Sequence, residues 1–344
     1  MKTTKKLVAF ILSVAMMCTF TTGCSSKTNM EESSKQTEKV EKTEQTEKTE
    51  QKKIGIIQFV EHEALDQAYK GFIDGLKEEG FVDGENIKID YKNAQGEMAN
   101  CSTIATKLIN DKNDLILAIA TPAAQAMANA TKDIPILVTA VTDPEKAQLV
   151  KSNTAPGGNV TGTSDMTPVA KQLNLLKQLV PNAKKIGLMY SSNEANSTIQ
   201  IEIAKAEAAK LGLETIDATV SATNELQQVA QSLVGKVDAI YLPTDNMMAT
   251  GMATISMVTE PAKIPVICGE EALIANGALA TYGINYYNLG VQTGKQAAKI
   301  LRGEAKPADM PIEYIEETNL TIDLDRAEKL GVTVIDELKA QLKK

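Results

Sequence analysis

Residues 113–127 read NDLILAIATPAAQAM, and residues 237–252 repeat their plan as VDAIYLPTDNMMATGM. In both, an Asp precedes a nearly unbroken apolar run, and the run ends at small or polar residues ahead of a helix-like segment. A short apolar run flanked by helical patterns reads as a strand buried on both faces of a parallel sheet. The first copy ends at Thr121 and Pro122, a hydroxyl to cap the next helix and a ring that suits its first turn. Backbone amides left free at such a helix start favour an anion.

The repetition extends in both directions. KKIGIIQF at 52–59 returns as KKIGLMYS at 184–191, and DIPILVTAVTDP at 133–144 returns as KIPVICGEEAL at 263–273. Ile54 thus matches Ile186, Asp114 matches Asp238 and Ile134 matches Ile264, in the same order and at similar spacing. Such agreement indicates an internal duplication. Each opening strand is followed by a helical pattern, ALDQAYKGFIDGLKEEGF in one half and STIQIEIAKAEAAKLGL in the other, both closing near a Gly.

Alternating strands and helices predict an α/β fold with one parallel sheet per half and helices on both faces of each. Ligands of such sheets bind beyond the carboxyl ends of the strands. After the second half, GINYYNLGVQTGKQAAKILRGE is expected to return to the first lobe, and PIEYIEETNLTIDLDRAEKLGVTV to finish on the second. The expected lobes are therefore 53–163 with 285–310, and 164–284 with 311–344. Several crossings between them would form a hinge.

The chain has 344 residues and a formal net charge of -8, with no basic stripe in its folded part, which argues against nucleic acid as a partner. MKTTKKLVAFILSVAMMCTFTTGCSS has the basic start and short apolar stretch of a secretion signal over residues 1–23. Gly23 before Cys24 resembles a bacterial lipobox, in which the Cys becomes the lipidated first residue, although Thr21 stands where that pattern prefers Leu. Residues 24–52 are rich in Glu, Lys and Thr and nearly free of apolar residues, so they read as a disordered tether. A coil of about 28 residues spans ~30 Å. Cys101 on an expected helix and Cys268 in an expected strand do not suggest a disulfide framework.

With leader, tether and duplicated halves in place, the sequence resembles the substrate-binding lipoproteins of bacterial ABC importers, and more narrowly their tryptophan or aromatic-amino-acid group. GIIQFVEHEALDQAYKGFIDGLKEEGF, NAQGEMANCSTIATKLI, APGGNVTGTSD, SSNEANS, LPTDNMMAT, GALATYGINYYNLG and AKPADMPIE carry the resemblance, together with the repeated strand ends, over nearly all of 53–344. It implies a type I periplasmic-binding-protein fold of two Rossmann-like lobes and capture of an aromatic amino acid, tryptophan before phenylalanine or tyrosine. It also implies delivery to a permease and its ATPase by a monomeric protein lipid-anchored outside the cytoplasm.

An amino acid needs donors for its carboxylate, acceptors for its ammonium and a selective wall. For the carboxylate the sequence offers Thr121 with the amides after Pro122, joined by Thr142 at the neighbouring strand end; Ala120 and Asp143 beside them are further candidate ligand contacts. The Ala140 carbonyl is a candidate acceptor for the ammonium. The two threonines read equally as helix caps. Asp245, Asn246 and Glu270 follow strands of the second half and suit an ammonium or, again, a cap. Asn193 and Asn196 in SSNEANS suit ligand polar groups or a closing contact between lobes. Phe59 and Tyr282 are the candidate wall, with core packing as the alternative, in a chain that is only 4% aromatic. Gln58, Glu61 and His62 suit a pocket rim or an indole N–H acceptor, with plain solvent exposure as the alternative.

His62 is the only histidine and has no partners at metal-ligand spacing, so neither a metal nor a cofactor is expected. No Gly-rich dinucleotide turn follows the first strand, and no Ser, His and Asp set assembles from motifs, so an enzyme is not expected. APGGNVTG lacks the Lys and spacing of a phosphate loop and reads as a turn. A nucleoside, a sugar or another small solute is the alternative ligand, and sensing the alternative to transport.

Overall fold

The computed structural model describes residues 51–342. The expected signal peptide, Cys24 and nearly all of the tether lie outside the described residues. The first half contributes strands β1 (Lys52–Gln58), β2 (Ile87–Asn93), β3 (Leu115–Ile119), β4 (Ile136–Val141) and β5 (Val160–Ser164), with helices α1 (Glu63–Glu78), α2 (Met98–Asn110) and α3 (Thr121–Ala130) between them. The chain then crosses through 165–168 to α4 (Val169–Leu179), which packs on the second sheet.

That sheet is built from β6 (Lys185–Ser191), β7 (Glu214–Val220), β8 (Ala239–Leu242), β9 (Val266–Cys268) and β10 (Ala280–Gly283). Its helices are α5 (Ala195–Lys210), α6 (Leu226–Leu233), α7 (Asn246–Thr259) and the short α8 (Ala272–Ala275). A second crossing at 284–285 leads to α9 (Tyr286–Leu301), back on the first lobe. The strand β11 (Glu313–Tyr314) precedes the third crossing, and β12 (Asn319–Ile322), α10 (Leu324–Leu330) and α11 (Asp336–Lys339) follow it.

The duplication is visible strand for strand. The first sheet runs β11-β5-β4-β3-β1-β2 and the second β12-β10-β9-β8-β6-β7. All pairings are parallel except β10 with β12, an antiparallel edge. The matched acids also do the same work. The Asp114 carboxylate accepts from the amide of Lys53 at 2.8 Å, and Asp238 accepts from those of Lys184 and Lys185 at 2.8 and 2.9 Å. Each ties the loop before a central strand to the start of the lobe's first strand.

Burial explains which strands are continuous apolar runs. β3 and β4 are buried at every position, whereas the edge strands β2 and β7 are partly exposed. Ala64, Leu65, Ala68, Phe72 and Leu76 face α1 inward at helical spacing. Full burial of Phe72 or Leu76 stabilises by about 1.5–3 kcal/mol each. Helices α1 and α9 approach so closely that a Cβ on Gly290 would lie 2.0 Å from the Ala68 carbonyl oxygen, and one on Gly71 2.0 Å from that of Tyr287.

One expected boundary is corrected. The return to the second lobe was expected at 311, but Glu313 and Tyr314 pair with Thr163 and Ser164 in the first sheet. The polar backbone of a two-residue edge strand is satisfied there, so the chain leaves the first lobe only after Tyr314.

Candidate functional site

The carboxyl ends of the two sheets face each other. A buried polar cavity between them is lined by His62 after β1, Ala140 and Thr142 at the end of β4, Asp165 after β5 and Tyr286 after β10. From the second lobe come Asn196 after β6, Thr244, Asp245 and Asn246 after β8, and Glu270 after β9. The lobes are in contact across it. The Thr142 hydroxyl lies 3.4 Å from that of Thr244 and accepts from Gln200 Nε2 at 3.3 Å, while His62 Nε2 lies 3.1 Å from Asn246 Oδ1. The cavity itself is narrow, about 10 Å³, the room of a single water. Beside it opens a groove of about 550 Å³, of the size that takes small molecules, walled by Phe59, Val60, Met98 and Met247.

Backbone geometry shapes the first-lobe side. The pairing of β4 with β5 shifts register between Val138 and Val141, and within that irregularity Ala140 takes φ +53°. Such a bulge re-aims residues at a strand end. Ala120 stands at φ +78° and ψ 153° immediately before α3, a conformation that costs a non-glycine residue about 1–3 kcal/mol. Strain of this kind collects at ligand sites, where surrounding structure enforces it.

The charge pattern is one-sided. Asp165, Asp245 and Glu270 line the cavity, Glu194 lies behind Asn196 and Asn246, and no Lys or Arg lines it. Burial pushes Asp165 up to about 6, despite a bond from Tyr286 Oη at 2.8 Å. Glu270 is pushed up to about 8, first by burial and then by the nearby charges of Asp165, Asp245 and Glu194. Glu194 and Asp245 are both held above the ordinary carboxylate range by burial. Burial also lowers the His62 imidazole, against the raising effect of its bond to Asn246. Among the described residues no cluster of His, Cys, Asp and Glu is arranged to hold a metal ion. An opposite charge brought close favours the ionised form of such buried carboxyls, so a cationic group such as an ammonium suits this side of the cavity.

Several expected residues behave differently from the sequence reading. Thr121 does not cap α3: the cap position is Ala120, no side chain caps the helix, and the buried Thr121 Oγ1 has no partner within the protein. Asp245 is a cap, accepting from the Met248 amide at 2.9 Å, and it also accepts from the Ser191 amide and the Ser197 hydroxyl. Tyr282 is not a wall of the cleft. Its hydroxyl reaches Gln341 Oε1 at 3.1 Å, because alternation along β10 turns it toward the C-terminal segment. Asp143 turns away to Asn153 Nδ2 and the Lys146 amide. Asn193 is exposed on the groove's rim and donates to the Ser221 carbonyl. Gln58 is buried under the first lobe, donating to Asp66 and the Val60 carbonyl.

The sequence reading missed Asp165, Glu194, Gln200, Thr244 and Tyr286. Asp165 closes the quoted GTSD and Tyr286 opens YYN, but no local pattern says that two crossings bring them together. Thr244 was legible as the residue before Asp245 at a strand end.

Residues 53–344 match the family described as ABC transporter substrate binding protein. The chain belongs to this family. It is a family of binding proteins rather than enzymes. The substrate-binding protein is 44% identical over 328 residues to the tyrosine-binding protein of Clostridioides difficile strain R20291, covering 95% of this chain and 93% of the other. It is 42% identical to a solved Streptococcus pneumoniae ABC domain in complex with L-Trp, with a TM-score of 0.82, covering 85% of this chain and 98% of that one. A ligand-free, open structure of a substrate-binding protein with adhesive properties from Clostridium difficile is 47% identical at the same coverage, yet its TM-score is 0.66. The lobes here therefore match the L-Trp complex better than the open form, in line with the hydrogen bonds that join them. The expected pair of parallel-dominated α/β lobes of the periplasmic-binding-protein kind is what the chain forms.

Proposed function

We propose that this substrate-binding protein captures a free aromatic amino acid between its lobes and passes it to an ABC permease driven by its ATPase. Tryptophan is the first ligand, with tyrosine and phenylalanine as competitors. The observation that carries this reading is the pairing of a polar cavity, ringed by buried carboxylates without a cation, with an apolar groove beside it. The ammonium belongs among the carboxylates. The ligand carboxylate belongs at the start of α3 near Thr121, where amide dipoles supply the positive end that no Lys or Arg does. The ring lies along Phe59 and Met247. The likeness to proteins named for tyrosine binding and solved with L-Trp supports the ligand class.

The same reading makes Cys24 a lipidated residue and the Glu, Lys and Thr segment behind it a tether, so that a monomeric binding protein stays at the outer face of the cell membrane. Closure around ligand is what a permease would recognise, since a ligand shifts lobe closure by its differential affinity for the two states.

Thermal melting of the protein, refolded to strip carried ligand, tests the ligand class. A ligand at 100 times its Kd stabilises by about 2.7 kcal/mol. Tryptophan, tyrosine or phenylalanine is expected to raise Tm while nucleosides and sugars leave it unchanged, and the opposite ranking would overturn the reading.

A further inference from the structure

Among the described residues two methionines are exposed, Met98 at 47% and Met257 at 67%. Met127, Met189, Met248 and Met252 are fully buried. Met98 is the first residue of α2, and the turn before it is tied to β1's end, where the Gly96 amide donates to the Phe59 carbonyl at 2.8 Å. Met98 therefore stands close to Phe59 on the first-lobe wall of the apolar groove, with Met247 on the second-lobe wall. Met257 lies near the other end of α7, about 15 Å along the helix from Met247 and outside the groove.

Met98 also borders a second hollow. Between α2, α3 and the loop at 147–149 lies a space of about 370 Å³ whose lining includes Ser102, Gln125, Asn129 and Gln148. The thioether thus divides a groove lined by Phe59 from a hollow that offers hydroxyl and amide donors. A thioether is apolar and polarizable and gains from contact with an aromatic ring, whereas its sulfoxide is polar. Converting one to the other moves the favoured surroundings of this side chain from the groove to the hollow.

We propose that Met98 is an oxidation site whose sulfoxide weakens capture of the aromatic ring, and that bound ligand shields it. The proposal rests on the amino-acid reading above, since the ring must lie in this groove, and adds a chemical modification to it. The oxidant is a peroxide. The sulfur lone pair attacks one peroxide oxygen, the O–O bond breaks and an S–O bond forms. The sulfur-bound hydroxyl then gives its proton to the departing hydroxide, which leaves as water. Sulfur loses two electrons and the peroxide gains them. A protein held outside the cytoplasm meets such oxidants without the reducing systems of the cytosol. Sulfoxide reductases reverse the step, so the modification is not terminal damage.

Hydrogen peroxide treatment of the ligand-free full chain, followed by peptide mass spectrometry and by titration of tryptophan on its own fluorescence, tests this. Met98 and Met257 are expected to gain one oxygen each while the fully buried methionines stay unmodified. Saturating tryptophan is expected to slow oxidation of Met98 about fivefold or more and to leave Met257 unaffected, since susceptibility follows exposure. The treated protein, shown by melting to be folded, should bind tryptophan about 2- to 10-fold more weakly, the loss that a sulfur–aromatic contact represents. Methionine sulfoxide reductases A and B should restore the affinity. Met257→Leu should retain the loss on treatment, and Met98→Leu should bind equally before and after it. Should Met98→Leu fail to fold, ligand protection in the unaltered protein still decides. Met98 oxidised without a change in affinity, Met98 oxidised equally fast with ligand bound, or an undiminished loss in Met98→Leu overturns the proposal and leaves the amino-acid reading standing. No tryptophan binding by the untreated protein overturns both.

Discussion

His62 of the first lobe and Asn246 of the second meet at 3.1 Å, 184 residues apart in the chain. Asn246 is itself held by Glu194, which accepts from its side-chain and backbone nitrogens, so the contact joins a rigid second-lobe network to the start of α1. A bond of this kind exists only when the lobes are together, and its net contribution of about 0.5–1.5 kcal/mol favours closure. We predict that His62→Ala weakens ligand binding by roughly 2- to 10-fold without lowering the Tm of ligand-free protein. Titration calorimetry beside a melting curve checks it. An unchanged Kd would mean that the contact does not contribute to closure.

Thr121→Val separates a ligand contact from a packing role. The hydroxyl is buried without a partner, so replacing it with a methyl of the same shape removes a desolvation cost of about 1–3 kcal/mol. Ligand-free protein should melt no lower than the parent and affinity should drop at least tenfold. A loss of stability with unchanged affinity would make Thr121 a structural residue.

The packing of α1 on α9 leaves no room for a methyl. At Gly290 a Cβ would meet the Ala68 carbonyl oxygen at 2.0 Å, backbone that cannot swing aside. Gly290→Ala should destabilise by about 1–3 kcal/mol through forced separation of the helices. Urea unfolding with an unchanged m-value would verify this, whereas Gly303→Ala, open around its Cβ position but at φ +73°, should show only conformational strain.

For the ligand-free protein the pH dependence follows from the direction of the carboxyl shifts. Asp165 and Glu270 are raised above their unfolded values of 3.8 and 4.5, so the native state binds the extra protons. Their contribution is fully present below those values and is lost as pH rises through about 6 and about 8. Tm should therefore fall between mildly acidic and mildly alkaline pH, and saturating ligand should flatten that slope. His62, lowered by burial, acts in the opposite sense and removes stability as pH falls below its unfolded 6.5. A Tm that rises steadily through neutral pH would contradict the carboxyl account.

Most of the scaffold was legible because its signals are local. Apolar runs such as LILAI and AIYL, each bounded by an Asp and a polar end, locate buried strands, and their repetition locates both sheets. Strand ends then point to Thr142, Asp245 and Glu270 without any knowledge of the lobes' arrangement. Asp165 and Tyr286 were not legible, since their meeting depends on how two crossings are juxtaposed. Tyr282 was misplaced because β10 has only four residues, too few for the sequence to show which face its side chain takes. The cap of α3 was misread because a positive φ at a non-glycine residue, Ala120, leaves no mark in the sequence.

The central claim is that the cleft binds a free aromatic amino acid, and the protein's lack of tryptophan makes that directly measurable. Free tryptophan titrated into the refolded protein is then the sole source of indole fluorescence. The account predicts a saturable shift in its emission that tyrosine and phenylalanine reverse by competition. No change up to about 1 mM ligand, a concentration that reveals even weak binding, in protein shown to be folded, would contradict it.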